Sequence, residues 1–113
     1  MSLFKKKINK SKTFKKDSDF VLLEGDCLDG IKTLPDKSVK LIITSPPYNL
    51  NKEYEEKNTL ENYLENIKPI IKEFDRVLKD DGSICWQVGN YVDKSEVFPL
   101  DIFYYNIFKE QGY

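Results

Sequence analysis

Ser45-Pro46-Pro47-Tyr48 sets a hydroxyl, two proline carbonyls and an aromatic ring side by side, directly after Ile42-Ile43-Thr44. Consecutive prolines fix φ at both positions and remove both amide donors, so what remains is a row of acceptors held in place. Ser45, the Pro46 carbonyl and the Tyr48 ring suit a planar substrate that carries an NH2 group. Two acceptors can hold both N–H bonds of an exocyclic amine, which draws the nitrogen lone pair out of conjugation and aims it at an electrophile. The ring would stack on the substrate, a contact worth roughly 1–3 kcal/mol in base-stacking proteins. No covalent nucleophile is required, in keeping with a chain that contains no histidine. Two plainer readings stand beside this one: a strand terminator, and a proline ligand for a WW-type domain. The second fits poorly, because such ligands usually put a spacer between prolines and tyrosine.

The bulk of the chain limits what can surround these residues. Its 113 residues suffice for one small domain with a modest core. A hydrophobic fraction of 40% and an aromatic fraction of 13% fit a soluble globular protein. No apolar run approaches a membrane span, and no apolar leader opens the sequence. Cys27 and Cys85 are far apart, so no metal site is expected, and both read as packing residues in a reducing cytoplasm. Charge is uneven. Seven of the 18 basic residues fall within residues 1–16, which hold no acid, leaving 11 basic against 19 acidic residues beyond. Residues 1–17 are therefore expected to form a basic flexible arm, able to attract phosphate without reading sequence or simply to be solvated.

Strands and helices must position the motif. Phe20 to Glu24 reads as a strand ending in a turn at Gly25-Asp26. Leu28, Ile31 and Leu34 mark a short helix ended by Pro35-Asp36, and Val39 to Thr44 a second strand, apolar on both faces like one buried in a parallel sheet. Residues 49–58 form a polar, mobile loop. Thr59 caps a helix whose stripe runs Leu60, Tyr63, Leu64, Ile67, Ile71, Phe74, Leu78. Pro69 should kink or split it, and Gly82 should end it in a left-handed conformation. Ser83 to Val88 is a third buried strand that makes Trp86 a core residue. Pro99 opens a last helix with Leu100, Phe103, Tyr104, Ile107 and Phe108 on its apolar side, and Gly112 ends it. The alternation predicts an α/β fold, a mostly parallel sheet with flanking helices. Its strand ends, Gly25-Asp26, Ser45 to Tyr48 and Gly89-Asn90-Tyr91, should crowd one rim, where open parallel sheets bind ligands.

The segment GDCLDGIKTLPDKSVKLIITSPPYN resembles the bacterial DNA methyltransferases that modify exocyclic amines, giving N4-methylcytosine or N6-methyladenine. Their hallmark is Asp, Asn or Ser followed by Pro-Pro and Tyr, Phe or Trp, matched by Ser45 to Tyr48. EFDRVLKDDGSICWQVGNY resembles the helix, turn and strand that follow, with Asp80-Asp81-Gly82 where many members have Pro-Gly-Gly. The likeness spans roughly residues 20–110 and implies a partial Rossmann-like methyltransferase fold over residues 18–113. It implies that Ser45 and the Pro46 carbonyl bind the target amine, that Pro47 stiffens the turn, and that Tyr48 stacks on a flipped base of a DNA partner. It also implies that Asp26 holds the adenine amine or ribose of S-adenosylmethionine, the methyl donor. Cytosine-C5 chemistry is excluded, because no proline precedes Cys27 or Cys85. RNA- and glutamine-directed relatives commonly carry Asn where Ser45 stands. Serine leans toward N4-cytosine and leaves adenine open.

The same resemblance implies a Gly-rich loop, often Phe-x-Gly-x-Gly, against the methionine end of the cofactor. Gly25, Gly30, Gly82, Gly89 and Gly112 form no such pair. The motif order fits the permuted branch in which the catalytic motif comes first. The chain is thus expected to be the catalytic-motif part of a restriction–modification or genome-marking enzyme. A longer gene product or a second chain would carry the Gly-rich loop. The alternative is a catalytically inactive remnant or interaction module of a split methyltransferase.

Overall fold

The computed structural model describes residues 9–49 and 59–113. Residues 1–8 of the lysine arm and residues 50–58 of the polar loop lie outside the described residues. In chain order the elements are β1 (Lys10–Ser11), β2 (Phe20–Val21), α1 (Cys27–Lys32), β3 (Val39–Thr44) and α2 (Leu60–Val77). These are followed by β4 (Leu78–Trp86), β5 (Tyr91–Asp93), β6 (Glu96–Phe98) and α3 (Leu100–Glu110). The fold is α/β, and its main ladder is the parallel pair β3–β4 expected from the alternation. Parallel neighbours need a long crossover, and α2 supplies it.

Two expectations about the sheet change. β2 stops after two residues and pairs in parallel with β1, not with β3. Lys10–Ser11, inside the stretch expected to be free, are that partner. The β3–β4 ladder is also covered on one face only. Ile42, Thr44, Ile84 and Trp86 are half-buried, whereas Leu41 and Ile43 are 51% and 74% exposed. An apolar run says that a strand can be buried on both sides; which sides are covered depends on the elements that pack there.

Helix α2 begins where Thr59 caps it, its hydroxyl accepting from the Asn62 N–H at 3.3 Å. Pro69 does not split it; residues 60–77 form one helix. The proline faces solvent, where water can serve the carbonyl that loses its amide partner. An interior proline costs about 3 kcal/mol. Tyr63, Ile67, Ile71, Phe74 and Val77 are buried along the other face, at about 1.5–3 kcal/mol for each apolar side chain of this size. Burial wins by a wide margin.

The end of α2 corrects the expected glycine cap. The chain passes from Val77 directly into β4, and Gly82 lies inside that strand without a positive φ. The last carbonyls of α2 need no cap of their own, because the Lys37 and Ser38 amides donate to the Arg76 and Val77 oxygens at 3.0 and 2.8 Å. Val39 pairs with Leu78, yet Leu41 pairs with Ser83, so β4 carries a bulge between them. Lys37 and Lys40 hold it through Asp80 (2.6 Å) and Asp81 (2.5 Å). Glycine is needed at 82 for space: a Cβ there would lie 2.7 Å from Leu78 Cγ and 2.9 Å from the Lys79 carbonyl oxygen.

Arg76 joins α1 to α2. Its guanidinium donates to the carbonyls of Leu34 (2.9 Å) and Ile31 (3.1 Å) and pairs with Asp36 and Glu73. The Glu73 and Asp36 carboxylates raise its pKa further, so the charge is constant. Beyond β4, β5 and β6 form a hairpin that the sequence reading did not contain. Its turn residues Lys94 and Ser95 take φ of 46° and 67°, the left-handed pair of a tight hairpin turn, without the Asn-Gly that usually marks one. Tyr91 and Phe98 face each other across it with stacked rings 4.7 Å apart.

Helix α3 closes the core. Leu100, Tyr104 and Ile107 are buried against Tyr63, Ile67, Ile71 and Tyr91. Trp86 packs on that cluster as expected, its ring 4.9 Å from Tyr104 and 5.3 Å from Phe108. Gly112, with φ of 100°, follows the end of α3 in the left-handed region, as its position predicts. No helix among the described residues is long and apolar enough to cross a membrane.

Two outcomes are expected. Gly82→Ala should lower stability by about 1–3 kcal/mol, because one of the two contacts is backbone that cannot step aside. Gly30→Ala, where the nearest atom lies at 3.4 Å, should be neutral or stabilising within its helix. Urea midpoints at constant m test the pair, and equal losses would contradict the assignment. The second concerns alkali. Burial, then the hydrogen bond that its hydroxyl donates to Tyr63, pushes the Tyr104 phenol well above its usual range. Burial and the nearby Asp75 push Tyr113 up to about 12. Both folded values exceed the unfolded value of about 10, so this contribution is full below pH ~10 and is lost as pH rises through the folded values. Ultraviolet titration should show Tyr104 ionising only as the chain unfolds.

Candidate functional site

β3 delivers the chain to Ser45, and the ladder continues past its end, the Gln87 amide donating to the Thr44 carbonyl at 2.9 Å. Ser45 and Pro47 are exposed, while Pro46 and Tyr48 are half-buried. The hydroxyls of Ser45 and Tyr48 lie 2.9 Å apart, in hydrogen-bond contact. The motif therefore forms a lip on which the two side chains that could address a substrate touch each other. Tyr48 keeps one side of its ring against the domain: it packs on the core cluster, and a Cβ on Gly89 would stand 3.1 Å from its Cε2. Gly89 follows β4, so two of the three expected strand ends meet at one rim.

The third does not share that ladder. Asp26 lies after β2, which pairs only with β1 among the described residues. Its backbone is extended (φ −64°, ψ 135°), and its Oδ1 accepts from the Leu28 N–H at 2.8 Å, capping α1. The carboxylate is exposed. One oxygen serves the helix, and a carboxylate has a second with which to accept from a hydroxyl or an amine. The expectation that both cysteines pack in the interior also fails, since Cys27 and Cys85 are exposed. Cys85 lies opposite Ile43 on the uncovered face of the sheet.

Three residues that sequence reasoning passed over hold the lip. Tyr63, on the first turns of α2, donates its hydroxyl proton to the Pro47 carbonyl at 2.5 Å. The same hydroxyl lies 2.5 Å from that of Tyr104. Asn49, 1% exposed, turns the chain inward with φ of 62°, a conformation that asparagine tolerates better than most residues. The signals for Tyr63 and Tyr104 were present but looked ordinary: each is one more apolar position of a helical stripe, and the hydroxyl gave no pattern. In the Gly89-Asn90-Tyr91 loop every residue serves the scaffold. Gly89 lies under Tyr48, Asn90 Oδ1 accepts the Asp101 amide at 3.4 Å at the start of α3, and Tyr91 is buried. Pro99, at the N-cap of α3, offers no side-chain bond of its own.

Chemically, the rim presents two hydroxyls and a half-exposed ring beside a turn with no backbone donors at positions 46 and 47. Such a surface favours a group that donates hydrogen bonds and has a flat face.

Several known proteins are similar to this chain. A family model described as DNA methylase, for N6 and N4 enzymes, matches residues 39–112. The type II methyltransferase M.BglII of Bacillus subtilis is 46% identical over 92 residues, which are 80% of this chain and 26% of that protein. M.BamHI of Bacillus amyloliquefaciens is 45% identical over 67 residues, 56% of this chain and 16% of that one. Among solved structures, the cytosine-N4-specific PvuII DNA methyltransferase aligns with a TM-score of 0.59 and 26% identity, over 76% of this chain and 30% of its own. The chain thus spans about a quarter or less of the length of these type II relatives. With the family model covering β3 through α3, and Ser45 to Tyr48 at the end of β3, this chain belongs to the N6/N4 family of DNA methylases.

Proposed function

We propose that residues 18–113 form the catalytic-motif part of an S-adenosylmethionine-dependent DNA methyltransferase that acts on the exocyclic amine of cytosine (N4) or adenine (N6). Residues 1–17 serve it as a basic arm toward the phosphate backbone, within a restriction–modification or genome-marking system. The observation that carries this reading is the contact of the Ser45 and Tyr48 hydroxyls on an exposed, donor-poor lip. Ser45 Oγ and the Pro46 carbonyl accept the two amine N–H bonds, and Tyr48 stacks on the base. Extrusion of the base from the duplex costs a few kcal/mol, which the stacking and the two hydrogen bonds offset. With its protons held by acceptors, the amine nitrogen presents its lone pair in line for displacement, and alignment supplies most of the help.

S-adenosylmethionine, when bound, contributes an electrophilic methyl group. Asp26 is the residue offered to it here, through the carboxylate oxygen that does not cap α1. The Gly-rich part of that pocket comes from polypeptide outside these residues, in the same gene product or on a second chain.

Mass spectrometry of nucleosides from DNA treated with the full-length gene product tests the reading. N4-methyldeoxycytidine or N6-methyldeoxyadenosine is expected, and methylated RNA nucleosides alone would overturn it. Ser45→Ala should lower kcat by roughly 10²–10³, the usual loss for one preorganised hydrogen bond at a reacting centre. Tyr48→Ala should weaken target binding by about 1–3 kcal/mol. Isothermal titration of residues 1–113 with the methyl donor completes the series. Absence of heat at millimolar concentrations would show that this segment does not act alone.

A further inference from the structure

The lip is unusual in how little of it the backbone can hold. Pro46 and Pro47 carry no N–H, so at these positions only carbonyls can tie the segment to the fold. The Pro47 carbonyl has such a tie, the Tyr63 hydroxyl at 2.5 Å. The proton positions follow from counting. A carbonyl can only accept, so Tyr63 spends its single proton on Pro47. The contact between the two phenols at 2.5 Å is then made by the Tyr104 proton, donated to the Tyr63 oxygen. The result is a directed chain from α3 through α2 to the lip, in which each hydrogen bond polarises the next. Both phenols are buried, at 7% and 2% exposure, so water does not compete for them. Their rings meet edge to face with centroids 6.2 Å apart, which fixes the oxygens as well as the rings. On the other side the Tyr48 ring rests against Gly89.

We propose that Tyr63, oriented by Tyr104, is a positioning residue: it sets the height of the Ser45–Tyr48 lip over the rim and acts on the reaction without touching the base. This rests on the reading of the lip as the amine-binding element. A displacement of about 1 Å at a reacting centre can cost on the order of 100-fold in rate, so a tether of this kind has leverage.

Tyr63→Phe keeps the ring and removes both hydrogen bonds, whereas Tyr104→Phe removes the relay and leaves the bond to Pro47. Two readouts are taken on each. In residues 1–113, amide exchange at Tyr48 and Asn49 reports the lip; in the full-length gene product, kcat and the KM for the methyl donor report the reaction. Tyr63→Phe should speed exchange at both amides and lower kcat roughly 10–100-fold, with that KM unchanged. Tyr104→Phe should do the same to a smaller degree, and it carries the test if Tyr63→Phe does not fold. Wild-type exchange or wild-type kcat in a folded Tyr63→Phe protein overturns the proposal. So does a kcat loss that merely follows the unfolded fraction measured in parallel. Ser45→Ala separates the two readings: if it leaves methyl transfer intact, the assignment of the lip fails. If it abolishes transfer while Tyr63→Phe changes nothing, only the positioning role fails.

Discussion

A turn built from two consecutive prolines cannot be held by the amide groups that hold every other part of a sheet protein, and the rest of this domain is arranged around that constraint. Rigidity at the end of β3 is obtained by giving up donors, so the fold must reach the turn from elsewhere. It does so with a phenol from α2 to the Pro47 carbonyl, a second phenol from α3 behind it, and a glycine after β4 that lets the Tyr48 ring settle. The aromatic character of the core follows. A hydroxyl must travel from the middle of the domain to its rim, and tyrosine carries one at the end of a side chain that also fills the core. Burying two polar groups is tolerable only because each finds a partner.

The sequence showed most of the scaffold and the lip, because both rest on local signals. Thr59 before an apolar stripe, the β-branched run before Ser45, and Pro99 before Leu100 each have one dominant structural meaning, and each element formed where expected. Departures came where two meanings competed. Gly82 could serve as a helix cap or as a point of close approach within a strand. The outcome was decided by the Lys37 and Ser38 amides, which had already satisfied the end of α2. The strand from Phe20 was shortened because its pairing lay with Lys10–Ser11, a contact that periodicity does not encode. The β5–β6 turn escaped notice because lysine and serine occupy its left-handed positions. The lip itself was legible. The tether beneath it was not, since a tyrosine in an apolar stripe is counted as hydrophobic and its oxygen goes unread.

Asp26 and Ser45 raise a different question: what relates them in space if the sheet does not. Helix α2 supplies the answer from both of its ends. Near its start, Tyr63 holds the lip through Pro47. Near its finish, Arg76 grips the carbonyls of Ile31 and Leu34 at the C-terminal end of α1, and Asp26 caps the opposite end of that same short helix. Tyr63 and Arg76 stand thirteen positions apart on α2, a span of about 20 Å at 1.5 Å per residue. The helix thus acts as a ruler between the group proposed for the amine and the group proposed for the methyl donor. Pro69 lies between the two grips, on the solvent side, so any bend it introduces alters the distance they define.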